Sequence, residues 1–265
     1  MVASPYRNSL TSGYAFELDA FQIQAFDCLD AGESVLVAAP TGSGKTVVAE
    51  YAIGLARKSG MRAFYTAPIK ALSNQKYYEL VNLYGPNEVG LLTGDNSVNP
   101  QAPIVVMTTE VLRNMIYARS SNIENLAVVV LDEVHFLQDA YRGPVWEEVI
   151  IHLEPTVQLV CLSATVSNAD ELCDWLTTVR GPTRPIVESK RPVELINHYL
   201  VGDKTTNQIR MFDTIVGGKP NEQVAKIETM PSPRSKKQHP YRSRARFGSA
   251  PSRFLTPNRP DVVLQ

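Results

Sequence analysis

From Asp19 to Leu29 the apolar residues Phe21, Ala25, Phe26 and Leu29 recur at helical spacing. Asp19 and Gln22, three residues apart, have the pattern of a capping box, and Gly32 supplies a stop, so a helix is predicted between them. Val35–Ala39 is a short apolar run entering a glycine turn, the pattern of a buried strand, and a second helix is predicted from Lys45 to about Lys58. Further apolar runs at Ala63–Thr66, Val89–Leu92, Ile104–Met107, Ala127–Leu131 and Val157–Leu162 alternate with helical stretches such as Leu72–Leu83 and Glu110–Ala118. Strands that are apolar throughout, rather than on every second residue, bury both faces. Their alternation with helices predicts an α/β fold with a doubly wound parallel sheet over residues 15–190, after a lead-in at 1–14.

Past that domain, Pro185–Glu188 and Asn197–Val201 have the pattern of further strands, and Gln208–Val216 that of a helix stopped by Gly217-Gly218. Residues 191–228 are therefore expected to connect toward a second domain. From 229 to 265 the chain turns rich in Pro, Ser and Arg and poor in large aliphatic residues, a composition that predicts disorder. The net charge of −1 hides this change: residues 1–228 carry 18 basic and 26 acidic side chains, and 229–265 carry 8 and 1. Such a basic extension is either a solvated linker or a nucleic-acid contact with Tyr241, Phe247 and Phe254 as stacking faces, and composition favours the linker.

Hydrophobic residues at 44% and charged residues at 20% are those of an ordinary globular chain. No apolar run approaches the roughly 20 residues that span a bilayer, and the N-terminus lacks a charged start followed by an apolar stretch, so neither secretion nor a membrane span is expected. Cys28, Cys161 and Cys173 are odd in number and without CxxC spacing, which argues against a disulfide framework or a zinc site and fits a reducing cytoplasm. Trp146 and Trp175 sit at helical spacing from apolar neighbours and are expected in the core.

Pro40-Thr41-Gly42-Ser43-Gly44-Lys45-Thr46 lies between a predicted strand and a predicted helix, the context of a phosphate-binding loop. Glycines let consecutive backbone N–H groups converge on an anion, and the helix N-terminus adds its dipole at the same point. Lys45 would reach the terminal phosphates of ATP, and the Thr46 hydroxyl would bind the Mg2+ that bridges them. The first glycine of the usual pattern is Ala39 here.

Asp132-Glu133-Val134-His135 follows the strand Ala127–Leu131, at the end of a parallel sheet where ligands bind. Alone, the two acids are surface carboxylates closing a strand. After a phosphate loop in the same domain, Asp132 becomes the second magnesium anchor and Glu133 the group that orients and deprotonates the attacking water. Lys45, Asp132 and Glu133 are thus the candidate catalytic set.

These residues resemble the superfamily-two DExH-box helicases, in the branch of Ski-like and Mtr-like RNA helicases and their actinobacterial HelY-like relatives. The resemblance runs on through Phe136-Leu137 and Arg142-Gly143-Pro144-Val145-Trp146-Glu147-Glu148, a stretch that ATP binding does not require. It implies a RecA-like ATP-binding domain, with Phe16 and Gln22 reading the adenine together with Asp19 and Phe21. It also implies nucleic-acid contacts at Pro68 and Lys70 of Thr66–Leu72, at Thr93 and Gly94 of Leu92–Asp95, and at Thr108 and Thr109 of Thr108–Leu112. Coupling of the ATP site to movement is implied at His135 and, in Ser163-Ala164-Thr165, at Ser163 and Thr165.

Helicases of this kind use two RecA-like domains with arginines from the second completing the site, and no Gln-x-x-Gly-Arg-x-Gly-Arg stretch is present here. The expectation is one ATP-binding half of a motor, in a truncated or fragmentary chain, with single-stranded or partly duplex RNA as partner. The alternatives are a DNA-repair helicase domain and a nucleic-acid-binding module without catalysis.

Overall fold

The computed structural model describes residues 4–164, 168–194, 196–203, 208–227 and 254–255. The chain divides into two units, Met1–Pro192 and Val193–Gln265. The expected boundary at residue 190 lies two residues before this division.

The first unit opens with α1 (Arg7–Thr11) and α2 (Ala20–Asp30), followed by β1 (Ser34–Ala38), α3 (Lys45–Lys58), β2 (Arg62–Ala67) and α4 (Lys70–Tyr84). Next come β3 (Val89–Thr93), β4 (Asn96–Val98), β5 (Ile104–Thr108), α5 (Thr109–Tyr117), β6 (Leu126–Leu131), α6 (Gly143–His152), β7 (Gln158–Ser163), α7 (Ala169–Arg180) and β8 (Thr183–Val187). Eight strands form one sheet in the order β4-β3-β5-β2-β6-β7-β1-β8. All neighbours are parallel except β4, which returns antiparallel along β3.

Successive side chains of a strand point to opposite faces, so a run such as Val35-Leu36-Val37-Ala38 feeds two cores. Val35 and Val37 join Val128, Val130, Val160 and Leu162 under α2, α3 and α4. Leu36 and Ala38 join Val129, Leu131, Leu159 and Cys161 under α5, α6 and α7. The fully buried Trp146 is central to the second core, and Trp175 packs against it. The lead-in is docked rather than loose, because Leu10 packs on the first core and the Arg7 guanidinium donates to Asp27 Oδ1 at 2.6 Å. The strand expected at Pro185–Glu188 is β8, which closes the sheet beside β1.

In the second unit, β9 (His198–Asp203) pairs antiparallel with β10 (Gln208–Asp213), a hairpin joins β11 (Ile215–Val216) to β12 (Lys219–Pro220), and α8 (Glu222–Ile227) follows. The helix expected over Gln208–Val216 is therefore two strands. Ile209 and Phe212 are the half-buried positions of β10, and their spacing of three imitates a helix face. Pairing with β9 supplies the backbone partners that a helix this short would hold only marginally in water. Gly217 and Gly218, read as a helix stop, both have positive φ and form the two-residue turn of the hairpin. Of the stretch expected to be disordered, only Phe254–Leu255 lies within the described residues, as the short strand β13 against β9.

Candidate active site

The phosphate loop leaves the carboxyl end of β1 and enters α3. Gly42 and Gly44 take φ of 84° and 83°, a left-handed conformation that costs other residues about 1–2 kcal/mol each. Ser43 closes the loop on itself, its N–H and its Oγ both donating to the Pro40 carbonyl. Lys45 Nζ donates to the carbonyl oxygens of Ala39 at 2.6 Å and Pro40 at 3.0 Å. Burial lowers the pKa of Lys45, while the charges of Glu133 and Asp132 act in the opposite direction. Thr46 is the second residue of α3, in the turn whose free N–H groups attract anions.

Asp132 and Glu133 lie at the carboxyl end of β6, separated from β1 only by β7. Two strand spacings, about 9–10 Å, leave a gap suited to phosphates and an ion. Both carboxylate oxygens of Asp132 are held: Oδ1 accepts from the Glu133 N–H at 2.9 Å and Oδ2 from the Tyr65 hydroxyl at 2.6 Å. Glu133 itself is in the left-handed region, φ 53° and ψ 44°, a strained conformation of the kind that gathers at functional sites. His135 Nδ1 lies 3.2 Å from Glu133 Oε2 without hydrogen-bond geometry.

Gln22 connects the N-terminus of α2 to the loop. Its Oε1 accepts from the Asp19 N–H, completing the expected capping box, and its Nε2 donates to the Gly44 carbonyl at 3.1 Å. A Cβ on Gly44 would stand 2.7 Å from that nitrogen, so a side chain there would displace the Gln22 amide from the Gly44 carbonyl. A cleft of about 270 Å³ opens beside them, lined by Asp19, Phe21, Gly42, Ser43, Glu188, Lys190, Arg191 and Pro192. Phe21 lines this cleft, whereas Phe16 is half exposed and packs on Tyr14.

The candidate nucleic-acid residues lie along the other half of the same sheet edge, at the carboxyl ends of the neighbouring strands β3, β5 and β2. Lys70 forms an ion pair with Asp95, which also accepts from Thr93 Oγ1 at 3.2 Å. Thr109 is buried, with Oγ1 3.5 Å from the Ala67 carbonyl, and Pro68, which follows Ala67 in sequence, is buried while Lys70 is exposed. Gly94 and Thr108 complete this rim. Ser163 ends β7; its carbonyl accepts from the Ala39 N–H, and its buried Oγ has no partner among the described residues. Thr165 lies outside the described residues.

Sequence reasoning missed Tyr65, whose hydroxyl holds Asp132, and the cations Lys190 and Arg191 beside the loop. A phenol inside an otherwise apolar strand was the available signal for the first. Burial, with the charge of Asp132 added, pushes the pKa of Tyr65 well above the ordinary tyrosine range, so it remains a proton donor. For Lys190 and Arg191 no motif distinguished them from solvated charges.

A family model described as DEAD/DEAH box helicase matches residues 19–172. The protein described as "Probable helicase HelY" of Mycobacterium tuberculosis is 48% identical over 259 residues, covering 96% of this chain and 28% of that protein. "Superkiller complex protein 2" of Homo sapiens is 48% identical over 200 residues, covering 75% of this chain and 16% of that protein. The solved structure of Mycobacterium smegmatis helicase Lhr bound to ssDNA and AMP-PNP superposes with a TM-score of 0.55 at 25% identity, covering 69% of this chain and 27% of that one. Among the described residues no helix is long and apolar enough to cross a membrane. With its phosphate loop and acidic strand end inside the matched segment, the chain belongs to the DEAD/DEAH box helicase family and folds that family's ATP-binding domain.

Proposed function

We propose that this domain binds ATP with Mg2+ and couples its hydrolysis to movement along single-stranded or partly duplex RNA. The observation that carries this reading is the strand order, which sets the phosphate loop with Lys45 and the Asp132–Glu133 pair on either side of β7, with three candidate nucleic-acid loops on the same sheet edge. In this reading Lys45 exchanges the Ala39 and Pro40 carbonyls for terminal phosphate oxygens. The loop N–H groups from Gly42 to Thr46 cradle the remaining phosphates, and Phe16 and Gln22 recognise the base.

Among the described residues no cage of three or more acidic, His or Cys side chains is present. That fits magnesium, which is held by one or two protein oxygens together with substrate phosphates and water, here Thr46 and Asp132. Bound there, the ion would neutralise charge on the phosphoryl oxygens. Glu133, one residue beyond Asp132, orients the attacking water and takes its proton. Pro68, Lys70, Thr93, Gly94, Thr108 and Thr109 hold the sugar-phosphate backbone, which gives affinity without reading sequence. His135, Ser163 and Thr165 couple the ATP site to movement in this reading.

The chain spans 28% of the HelY relative and 16% of the human one. Strand separation by the complete protein is proposed to need a second RecA-like domain, joined through residues 191–228, whose arginines complete the ATP site. The cytoplasm is the proposed compartment, in keeping with three buried, unpaired thiols. The test is a titration with a fluorescent ATP analogue and Mg2+, alongside phosphate release with and without single strands of equal length. Binding that is lost in Lys45→Ala, with RNA binding preferred over DNA, is the expected result. A preference for DNA would move the substrate to the DNA-repair branch, and equal signals for wild type and Lys45→Ala would overturn the ATP-site reading.

A further inference from the structure

We propose that Tyr65 is a positioning residue that sets the affinity of the nucleotide site for its divalent cation by fixing the carboxylate of Asp132. The inference rests on the ATP–Mg2+ reading above. Tyr65 lies in β2, next to β6, and is 1% exposed. Its ring fills the core shared with Val130 and Val106, a task that phenylalanine performs equally well, as the buried Phe64 does on the opposite face. What the hydroxyl adds is the 2.6 Å hydrogen bond to Asp132 Oδ2.

With Oδ1 on the Glu133 N–H, that bond leaves the carboxylate no freedom to rotate. Each oxygen retains one lone-pair direction, and both directions are set by the protein before any cation arrives. The Asp132 N–H also donates to the Thr66 carbonyl, so the carboxylate is tied to β2 by backbone and side chain together. β2 runs on into Pro68 and Lys70, so the strand that orients the cation ligand also carries a nucleic-acid loop.

Partners that orient a metal ligand from behind typically change metal affinity 10–100-fold when removed. The test uses Tyr65→Phe in the full chain and follows the fluorescent ATP analogue, first in EDTA and then across a Mg2+ titration. The expected result is Mg2+-free nucleotide binding within about twofold of wild type, and a half-maximal Mg2+ concentration raised about tenfold. Asp132→Asn provides the second arm: if Tyr65 acts through Asp132, adding Tyr65→Phe to it produces no further shift. A Mg2+ titration superimposable on wild type overturns the proposal. So does an undiminished shift on the Asp132→Asn background, or a collapse of Mg2+-free binding in Tyr65→Phe, which would mark a purely structural role. If wild-type binding ignores Mg2+ altogether, the ATP–Mg2+ reading itself falls, a result distinct from the other three.

Discussion

Replacing Gln22 by alanine tests whether the Q-bearing helix is a structural anchor of the phosphate loop as well as a candidate base reader. Gln22 is 2% exposed and satisfies two backbone groups, the Asp19 N–H and the Gly44 carbonyl. Truncation leaves both without their partner, at about 1–3 kcal/mol for each buried group, less whatever water recovers at the cleft. A net loss of about 2–3 kcal/mol in a unit of this size lowers the melting temperature by about 5–10 °C. Gln22→Glu separates the two bonds: a glutamate at this position still accepts from the N-cap N–H, but it has no donor for Gly44 and sets a negative charge beside the phosphate loop. Because that carboxylate is buried and faces the Gly44 carbonyl oxygen without a donor, melting at neutral pH should fall at least as far for Gln22→Glu as for Gln22→Ala, and nucleotide affinity with it. The assays are thermal unfolding by circular dichroism and parallel titrations with ATP and GTP analogues. Unchanged melting and affinity in Gln22→Ala would refute the anchoring argument. Equal losses for ATP and GTP would confine Gln22 to anchoring, because its second amide N–H and remaining lone pair are the groups left to read a base.

Three further perturbations follow from the geometry. Asp95→Ala frees Lys70 from its ion pair, so RNA affinity at low salt should rise severalfold; the slope of log K against log salt should steepen by up to about 0.7, one added phosphate contact to a single strand, as fluorescence anisotropy would register. Arg180 donates to the carbonyls of Leu153, Glu154 and Val157, binding the end of α7 to the turn before β7. Arg180→Ala should cost about 2–3 kcal/mol, since the side chain is only partly buried, and should shift the urea midpoint while sparing nucleotide affinity in the folded state. The depressed pKa of Lys45, caused first by burial, has opposite signs for binding and folding. ATP affinity should fall as pH rises through this lowered pKa, earlier than for an exposed lysine. The folding penalty of burying the charged amine, present below the lowered pKa, fades between there and the ordinary lysine range, so stability gains from this group over the same interval.

Strands that are buried on both faces announce themselves, which is why Val35–Ala39, Ile104–Met107 and Ala127–Leu131 were legible as strands of a covered parallel sheet. The helix at Lys45–Lys58 was equally legible, because loop glycines and a following Ser59-Gly60 bracket an amphipathic run. Gln208–Val216 was not: Ile209 and Phe212 carry the spacing of a helix face, and the deciding partner, β9, is a tertiary fact. The same limit hid Tyr65. Apolar periodicity reports that a side chain is buried but not which polar group it meets 67 residues away. Arg62 was hidden in the same way, its guanidinium turned inward onto the carbonyls of Pro100, Ala102 and Asn122.

The order of strands argues for how the two halves of the sheet edge communicate. β6, β7 and β1 present the phosphate loop and the acidic pair, while β3, β5 and β2 present the candidate nucleic-acid loops. The boundary between the halves is the β2–β6 pair, and its carboxyl end is bonded in both directions. The Thr66 carbonyl and the Tyr65 hydroxyl hold Asp132 on one side, and the Ala67 carbonyl receives Thr109 Oγ1 on the other. A close-packed interior transmits displacement rather than absorbing it, so a few tenths of an ångström at Asp132 must reappear at β2 or break one of these bonds. Lys70, the first residue of α4, is three positions beyond Ala67, and its pair with Asp95 is exposed and therefore weak. The ion pair is thus the compliant element of the edge and the β2–β6 end the stiff one, so in the proposed reading the Lys70–Asp95 pair is where a change at the ATP site would first reach a bound strand.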